Sequence, residues 1–287
     1  MRIGTFGALL VAGSTAAAQQ PFNRTLNVSS PFSISVVGMQ AEVTVIGWSR
    51  NQIEVSGDLP LGQRVEISRQ DRRVEVRVIA GRAGGRGGRL VVKVPRGNAL
   101  DVETTTGAIS ADSVGGLARL KSAAGAVTVR GPARTLSIET LSGAITVDAP
   151  AQGVVAHTAG GAVRIAGASG FLEIFTGEGA VEVVRCMVTQ ATITTMSGRI
   201  VFAADLAPNA LARFDSYVGA VELRLSSTVD ASFELSTFGG TVVNELGPPA
   251  RRSSEYAPGK ELSFTRGSGS SRILIDTYGG DIRLLAR

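Results

Sequence analysis

The sequence predicts an all-β protein, a single-stranded parallel β-helix (β-solenoid) with about 18–21 residues per turn, on three observations. A glycine recurs through the C-terminal two-thirds at near-fixed spacing. Apolar and polar positions around it alternate at period two, the pattern of half-buried strands. The composition, 36 glycines and only 5% aromatic residues, suits a thin coil filled with small side chains.

From the N-terminus, Arg2, the apolar run Gly7 to Ala12 and the small residues Ala16-Ala17-Ala18 follow the order of a secretory signal peptide. Residues 1–18 are expected to be removed, leaving 287 − 18 = 269. No later stretch reaches the ~18–20 apolar residues of a spanning helix. The single Cys186 cannot form an intramolecular disulfide and lies far from the junction where a lipoprotein carries its acylated cysteine, so a soluble, disulfide-free chain is expected.

Residues 22–96 are strand-rich but off the repeat, with β-type composition at Phe32–Val37, Glu42–Ile46, Gln52–Ser56, Arg64–Ser68, Arg73–Ile79 and Arg89–Val94. They are expected to supply an irregular N-terminal cap and first turns, covering an edge that would otherwise pair with other chains. Between them, Gly81 to Arg89 is an Arg-Gly tract, read as a flexible connection, with Arg82, Arg86 and Arg89 as candidate contacts for an anionic partner.

Residues 97–287 carry the repeat. Its anchors are Gly107, Gly125, Gly143, Gly161, Gly179, Gly198, Gly219, Gly240 and Gly280, separated by 18, 18, 18, 18, 19, 21, 21 and 40 residues. Five residues before each stands an apolar side chain, from Val102 and Leu120 to Leu235 and Ile275; two after, the column runs from Ile109 to Ile282. Each unit therefore reads as two short strands flanking a turn at the glycine, and only stacking buries both apolar faces. The glycine is expected either to adopt a backbone conformation or to allow a close chain approach that a Cβ would obstruct.

Three residues before the anchors stand Thr104, Ser122, Thr140, Thr158, Thr176, Thr195, Ser216, Thr237 and Thr277, an unbroken hydroxyl column expected to satisfy turn backbone. Exposed columns alternate in sign: Glu103, Lys121, Glu139, then His157; Asp112, Arg130, Asp148; Arg164 and Glu182. Stacking in sequence order would also set Arg213 beside Glu234 and Arg224 beside Glu245. Each exposed pair contributes at most ~1 kcal/mol, but like charges in a slipped register would repel. An irregular insertion at 247–270 interrupts the repeat, and Lys260–Thr265 is expected as a strand there, with a hairpin to Arg272–Thr277 across Gly267-Ser268-Gly269 as one arrangement. Right-handed coiling follows from the preference for right-handed parallel crossovers, although 18-residue periods also occur in left-handed coils. Some ten to twelve turns would make a rod of about 50 Å.

The Gly47-Trp48 pair with its following strand, Val92-Lys93-Val94-Pro95, the tandem Thr-x-x-Gly-x-apolar units and the closing Ile275-Asp276-Thr277-Tyr278-Gly279-Gly280-Asp281-Ile282 resemble the bacterial DUF4097 family over roughly residues 30–287. The resemblance implies a β-helical, exported or envelope-facing adhesin-like protein, and it brings no catalytic residues.

The chemistry is sparse. With one histidine, His157, a multi-histidine metal site is excluded and a histidine-dependent triad has a single candidate. Neither a Gly-x-Ser-x-Gly elbow nor a phosphate-binding Gly-x-x-x-x-Gly-Lys-Ser/Thr loop is present. Glu103 and Glu139 stand two turns apart, about 9–10 Å, close to an inverting carboxylate pair, yet Lys121 between them would hold both ionised. No cofactor and no metal is expected. The leading expectation is an exported, non-enzymatic scaffold in the periplasm or at the cell surface of a bacterium, whose partner is an unknown envelope component, glycan or protein, not nucleic acid. The alternatives are a carbohydrate-active enzyme and a periplasmic partner in an envelope-stress or anti-sigma circuit. The sequence carries no outer-membrane barrel after its last unit, so a complete autotransporter is not expected. Tyr217, Phe238 and Tyr278, beside the later anchors where earlier turns mostly carry small residues, are further candidate contacts.

Overall fold

The computed structural model describes residues 19–79, 87–254 and 258–287; the expected leader, Arg82 and Arg86 fall outside the described residues. Every regular element among the described residues is a strand, and no helix there is long and apolar enough to cross a membrane. A typical coil begins with Ala99–Thr104, turns at Gly107 and continues with Ile109–Asp112; Leu117–Ser122 then restarts the pattern one rung higher. Alternation sends Leu100 and Val102 from the first strand, and Ile109 and Ala111 from the second, into a shared core. Parallel pairing in register sets Leu120 on Val102 and Ile138 on Leu120, so each column becomes a continuous apolar ridge. The fold is a β-solenoid, two ladders of parallel strands closed around one core.

Among the described residues eleven coils stack, in the spatial order 73–95 (by its strands Arg73–Ile79 and Arg89–Pro95), 33–48, 99–112, 117–130, 133–148, 151–166, 169–184, 190–203, 211–225, 271–286 and 231–244. At ~4.8 Å per rung this is a rod of about 50 Å. The order departs from the sequence at both ends. The coil 33–48 lies inside 73–95, and the last coil in sequence is intercalated between its two predecessors. Arg213 therefore faces Leu274 rather than Glu234, and Arg224 faces Leu285 rather than Glu245. In place of the two expected pairs, Arg213 pairs with Asp215 and Glu234 with Arg272, both at 2.8 Å, and Arg224 pairs with Glu222 at 2.6 Å.

The longer periods after Gly179 are absorbed opposite the glycine corner. There the strands Val181–Thr195 and Ile200–Ser216 run from one coil into the next through register shifts at Val184/Met187 and Val188/Gln190. In the shorter coils that far corner is a tight turn, and Gly131 and Gly167 hold φ of +68° and +77°, a region closed to most side chains.

Antiparallel strands finish the ends. Gln52–Pro60 and Gln19–Asn27 extend one ladder beyond the coil 73–95, and Arg64–Gln70 extends the other. At the opposite end Lys260–Arg266 lies antiparallel on Ala231–Thr237, followed by the two-residue strand Arg251–Arg252. No hairpin joins Lys260–Arg266 to Ser271–Thr277, because Ala231–Thr237 lies between them and pairs with both. The stack faces of Phe233 and Phe264, parallel at 4.5 Å, seal the core there. The outermost edges are blunted by Pro21 and by the shortness and charge of Arg251–Arg252.

The link 267–270 that carries the chain over Ala231–Thr237 is clasped by one carboxylate. Asp230 accepts hydrogen bonds from Ser268 Oγ at 2.7 Å, Gly269 N at 2.6 Å and Ser270 N at 3.4 Å. The Ser268 hydroxyl first, with the two backbone N–H groups, lowers the Asp230 pKa from 3.8 to about 2. A depressed carboxylate pKa stabilises the fold above the unfolded value, and that contribution disappears as pH falls through the folded value. Between pH 3.8 and about 2 the clasp is therefore expected to loosen, and Asp230→Asn should flatten the wild-type decline of melting temperature in that window. An identical decline in both proteins would show that Asp230 contributes nothing to it.

Candidate interaction surface

The glycine and hydroxyl columns form one corner running the length of the rod. A Cβ built on Gly125 would lie 2.0 Å from the carbonyl oxygen of Gly107, on Gly143 2.1 Å from that of Gly125, and on Gly161 2.0 Å from that of Gly143. The same contact joins Gly280 to Gly219 and Gly240 to Gly280, which traces the intercalated order independently. None of these anchors has a left-handed φ. Of the two reasons offered for glycine, close chain approach is the one that applies. Gly87 of the Arg-Gly tract packs on Gln40 O by the same contact, 1.8 Å from a built Cβ, so the end of that tract is part of the corner.

The hydroxyls bind this corner. Gly125 N donates to Ser122 Oγ at 2.9 Å, Gly161 N to Thr158 Oγ1 at 3.0 Å and Gly179 N to Thr176 Oγ1 at 3.0 Å; Gly198 and Gly240 repeat the bond with Thr195 and Thr237. Elsewhere the hydroxyl donates instead: Thr104, Thr140 and Thr277 each reach the carbonyl of their own turn glycine at 2.7 Å. Each bond is worth about 1 kcal/mol net. Ser216 is the exception, since its buried Oγ has no hydrogen-bond partner among the described residues. A hydroxyl that bonds the main chain and is itself buried has little left for a ligand.

The polar faces behave as charge ladders. Lys121 lies between Glu103 and Glu139 in register and bridges Glu139 at 2.6 Å, so the two carboxylates face a cation rather than a shared cleft. His157 stacks between Glu139 and Phe175, edge-on to the Phe175 ring, with Nε2 3.6 Å from Glu173. It has no serine or cysteine nucleophile among its register neighbours. Glu222 is buried on the outer face beneath Arg199 and Arg224; burial pushes its pKa up, but the guanidinium hydrogen bonds outweigh that and hold it below the usual range. Cys186 is buried at the far corner, where burial raises its thiol pKa, the opposite of an activated nucleophile. No group of three metal-ligating side chains occurs among the described residues.

One stretch of the glycine corner differs from the rest. Two residues before the anchors, the coils run Ala123, Leu141, Ala159, Gly177, Met196, and then, in spatial order, Tyr217, Tyr278 and Phe238. The Tyr217 and Tyr278 rings stack at 5.0 Å and 6°, and Tyr278 stacks on Phe238 at 5.1 Å and 11°. All three are about half exposed, and Met196 and Val218 lie exposed beside them. The sequence marked the three aromatics but not their order or these two neighbours, because only the intercalation brings Tyr278 between the others. The two stacks occupy the inner ring faces, both of Tyr278 and one each of Tyr217 and Phe238, and the half-exposed ladder carries two phenol hydroxyls. Of the tract arginines, Arg89 lies near Glu42 at 3.7 Å.

A family comparison decides what this architecture is. Residues 33–285 match the model of Toastrack DUF4097. The chain belongs to the DUF4097 family. Its signatures now have physical roles within the DUF4097 coil. Gly47 and Trp48 pair in register with Val94 and Pro95 on the neighbouring strand. A Cβ on Gly47 would meet Ser113 O at 2.0 Å, and the Trp48 indole donates to Gln52 O at 2.7 Å across the turn that follows.

Among solved structures, a putative adhesin from Parabacteroides merdae is similar at 11% identity and a TM-score of 0.51, over 93% of this chain and 96% of that one. A putative adhesin from Bacteroides fragilis aligns at 10% identity and 0.46, over 94% and 99%. A protein from Parabacteroides distasonis named as a putative lipid binding protein aligns at 14% and 0.46, over 92% and 96%. The first of these likenesses shows the shared fold. No curated protein matches the chain.

Proposed function

We propose that this DUF4097 protein is an exported, non-enzymatic solenoid that displays an elongated surface to a component of the bacterial envelope, a glycan or a protein. The observation that carries the reading is the exposed ladder Tyr217, Tyr278 and Phe238 on a corner where the earlier coils mostly carry small residues. Aromatic rings with hydroxyl handles give large contact area at low entropic cost. The rest of the surface supports a scaffold: charges pair across rungs, as Lys121 with Glu139 and Arg164 with Glu182, or along one strand, as Arg213 with Asp215, and most hydroxyls of the corner bond to backbone. Arg89, with Arg82 and Arg86 of the same tract, is a second, electrostatic contact in this reading.

Two measurements test it. Cell fractionation with N-terminal sequencing should find the chain outside the cytoplasm, beginning at Gln19; a cytoplasmic chain that retains Met1 removes the export claim. Co-sedimentation with purified envelopes, peptidoglycan sacculi and lipopolysaccharide then locates the contact. The variant Tyr217→Ser/Phe238→Ser/Tyr278→Ser should retain its melting profile and lose about tenfold in envelope binding, as when a cluster of aromatic anchors is truncated. Unchanged binding removes the ladder from the interface. Loss only with Arg82→Gln/Arg86→Gln/Arg89→Gln assigns the contact to the arginine tract.

A further inference from the structure

The last coil in sequence is held between two coils that both precede it along the chain. Ser271–Thr277 pairs on one side with Leu211–Ser216 and on the other with Ala231–Thr237; Ile282–Ala286 pairs with Val221–Leu225 and with Val242–Asn244. Withdrawing it would leave two parallel edges facing each other across one rung, a slot whose shape, columns and hydrogen-bond pattern fit one segment of this chain. Its core side chains Ile273, Ile275, Ile282 and Leu284 are completely buried, so the segment cannot stay outside without exposing them.

Two further features make the slot separable from its occupant. The connection is short and jointed: Gly267 and Gly269 both take positive φ, +69° and +76°, and the principal anchor of the link is the Asp230 carboxylate. The two walls also suit each other. Gly219 and Gly240, Ser216 and Thr237, and Phe214 and Leu235 occupy the same columns, and direct stacking would set Arg213 by Glu234 and Arg224 by Glu245. Walls that carry the same columns present matching ladders to an incoming coil.

We infer that the slot between coils 211–225 and 231–244 is an interaction surface for the C-terminal coil of a second copy, so that two chains exchange residues 271–287 reciprocally. The exchanged dimer reproduces every strand pairing of the monomer. Only the links at 267–270 change course, and the reciprocal exchange closes on itself instead of propagating. Weakening the Asp230 clasp favours exchange because it frees the link without touching the pairing.

The test uses full-length chains with Cys186→Ser. One carries Ser236→Cys and the other Asp276→Cys, positions facing each other on adjacent rungs, with Ser236 Oγ 2.6 Å from Asp276 in the native protein. The two are mixed, warmed below the melting transition, cooled and oxidised. Exchange predicts that the mixed disulfide dimer greatly exceeds the half share that random collision gives, and that adding Asp230→Asn raises its rate of formation about fivefold, the effect of weakening a single hydrogen-bonded anchor. A random mixture of the three dimers, or none, overturns the proposal. In a second arm Ser268 and Gly269 are deleted, which removes two of the hydrogen bonds to Asp230 and leaves two residues to pass over Ala231–Thr237. Light scattering should then report a dimer, and a monomer that keeps the wild-type melting temperature also overturns it.

Discussion

Gly143→Val is expected to cost about 4 kcal/mol or more, the range reserved for substitutions with a steric cause, and to lower the melting temperature by roughly 8–16 °C in a chain of this size. The cause is local and backbone-deep. A Cβ at 143 would stand 2.1 Å from Gly125 O and 2.7 Å from its carbonyl carbon, and neither is a flexible side chain that can swing aside. Relief requires the two coils to separate by more than an ångström, which breaks the parallel ladder on both sides of the corner. In a stack whose stability is a sum of neighbour contacts, one broken interface uncouples everything beyond it. Gly160→Ala is the matched control. Its added methyl meets no atom within 4 Å and its φ is not left-handed, so a change within about 0.5 kcal/mol is expected. Thermal melts of the two variants check the corner directly, and equal melting temperatures would refute it.

Much of this corner was legible because the same requirement is restated at every rung. A glycine 18 residues after another glycine, with a hydroxyl three residues before it, is a steric and hydrogen-bonding demand repeated until chance is excluded. The apolar columns were legible for the same reason. Stack order was not, and the cause is that uniformity: columns that let any coil sit on any other say that Gly240 and Gly219 are stackable, not that they touch. The 40-residue gap before Gly280 was the available hint, and it was equally compatible with an irregular turn. Opposite charges at 213 and 234 even favoured the wrong neighbour. At the other end, 33–48 and 73–95 escaped the repeat because Ala41 takes the anchor place at the Gly107 contact and the Gly-rich tract masks the other corner. For the candidate surface, the sequence supplied the three aromatics as anomalies, while their merger into one ladder depended on the intercalated coil.

That intercalation carries the second large expected effect, Ile275→Ala. Ile275 is fully buried between Phe214 and Leu235 on adjacent rungs, and truncation of such a side chain costs about 2–5 kcal/mol in a core that cannot collapse around the gap. The distribution of the loss matters more than its size. In a solenoid stacked in sequence order, residue 275 would belong to the terminal rung, and its truncation would fray that rung alone. Here the coil 231–244 pairs with 271–286, and among the described residues it has no strand pairing to 211–225. Hydrogen exchange should therefore show amides of 231–244 and of Lys260–Arg266 losing protection together with 271–286, while 99–166 stays as slow as in wild type. Leu235→Ala provides the opposite case. Leu235 faces Leu262 and the outer end of the stack, so its loss should open 231–244 and the capping strand and leave 271–286 protected by its ladder to 211–225. If Ile275→Ala instead spares 231–244, that coil must rest on 211–225 and the final coil must lie outside it.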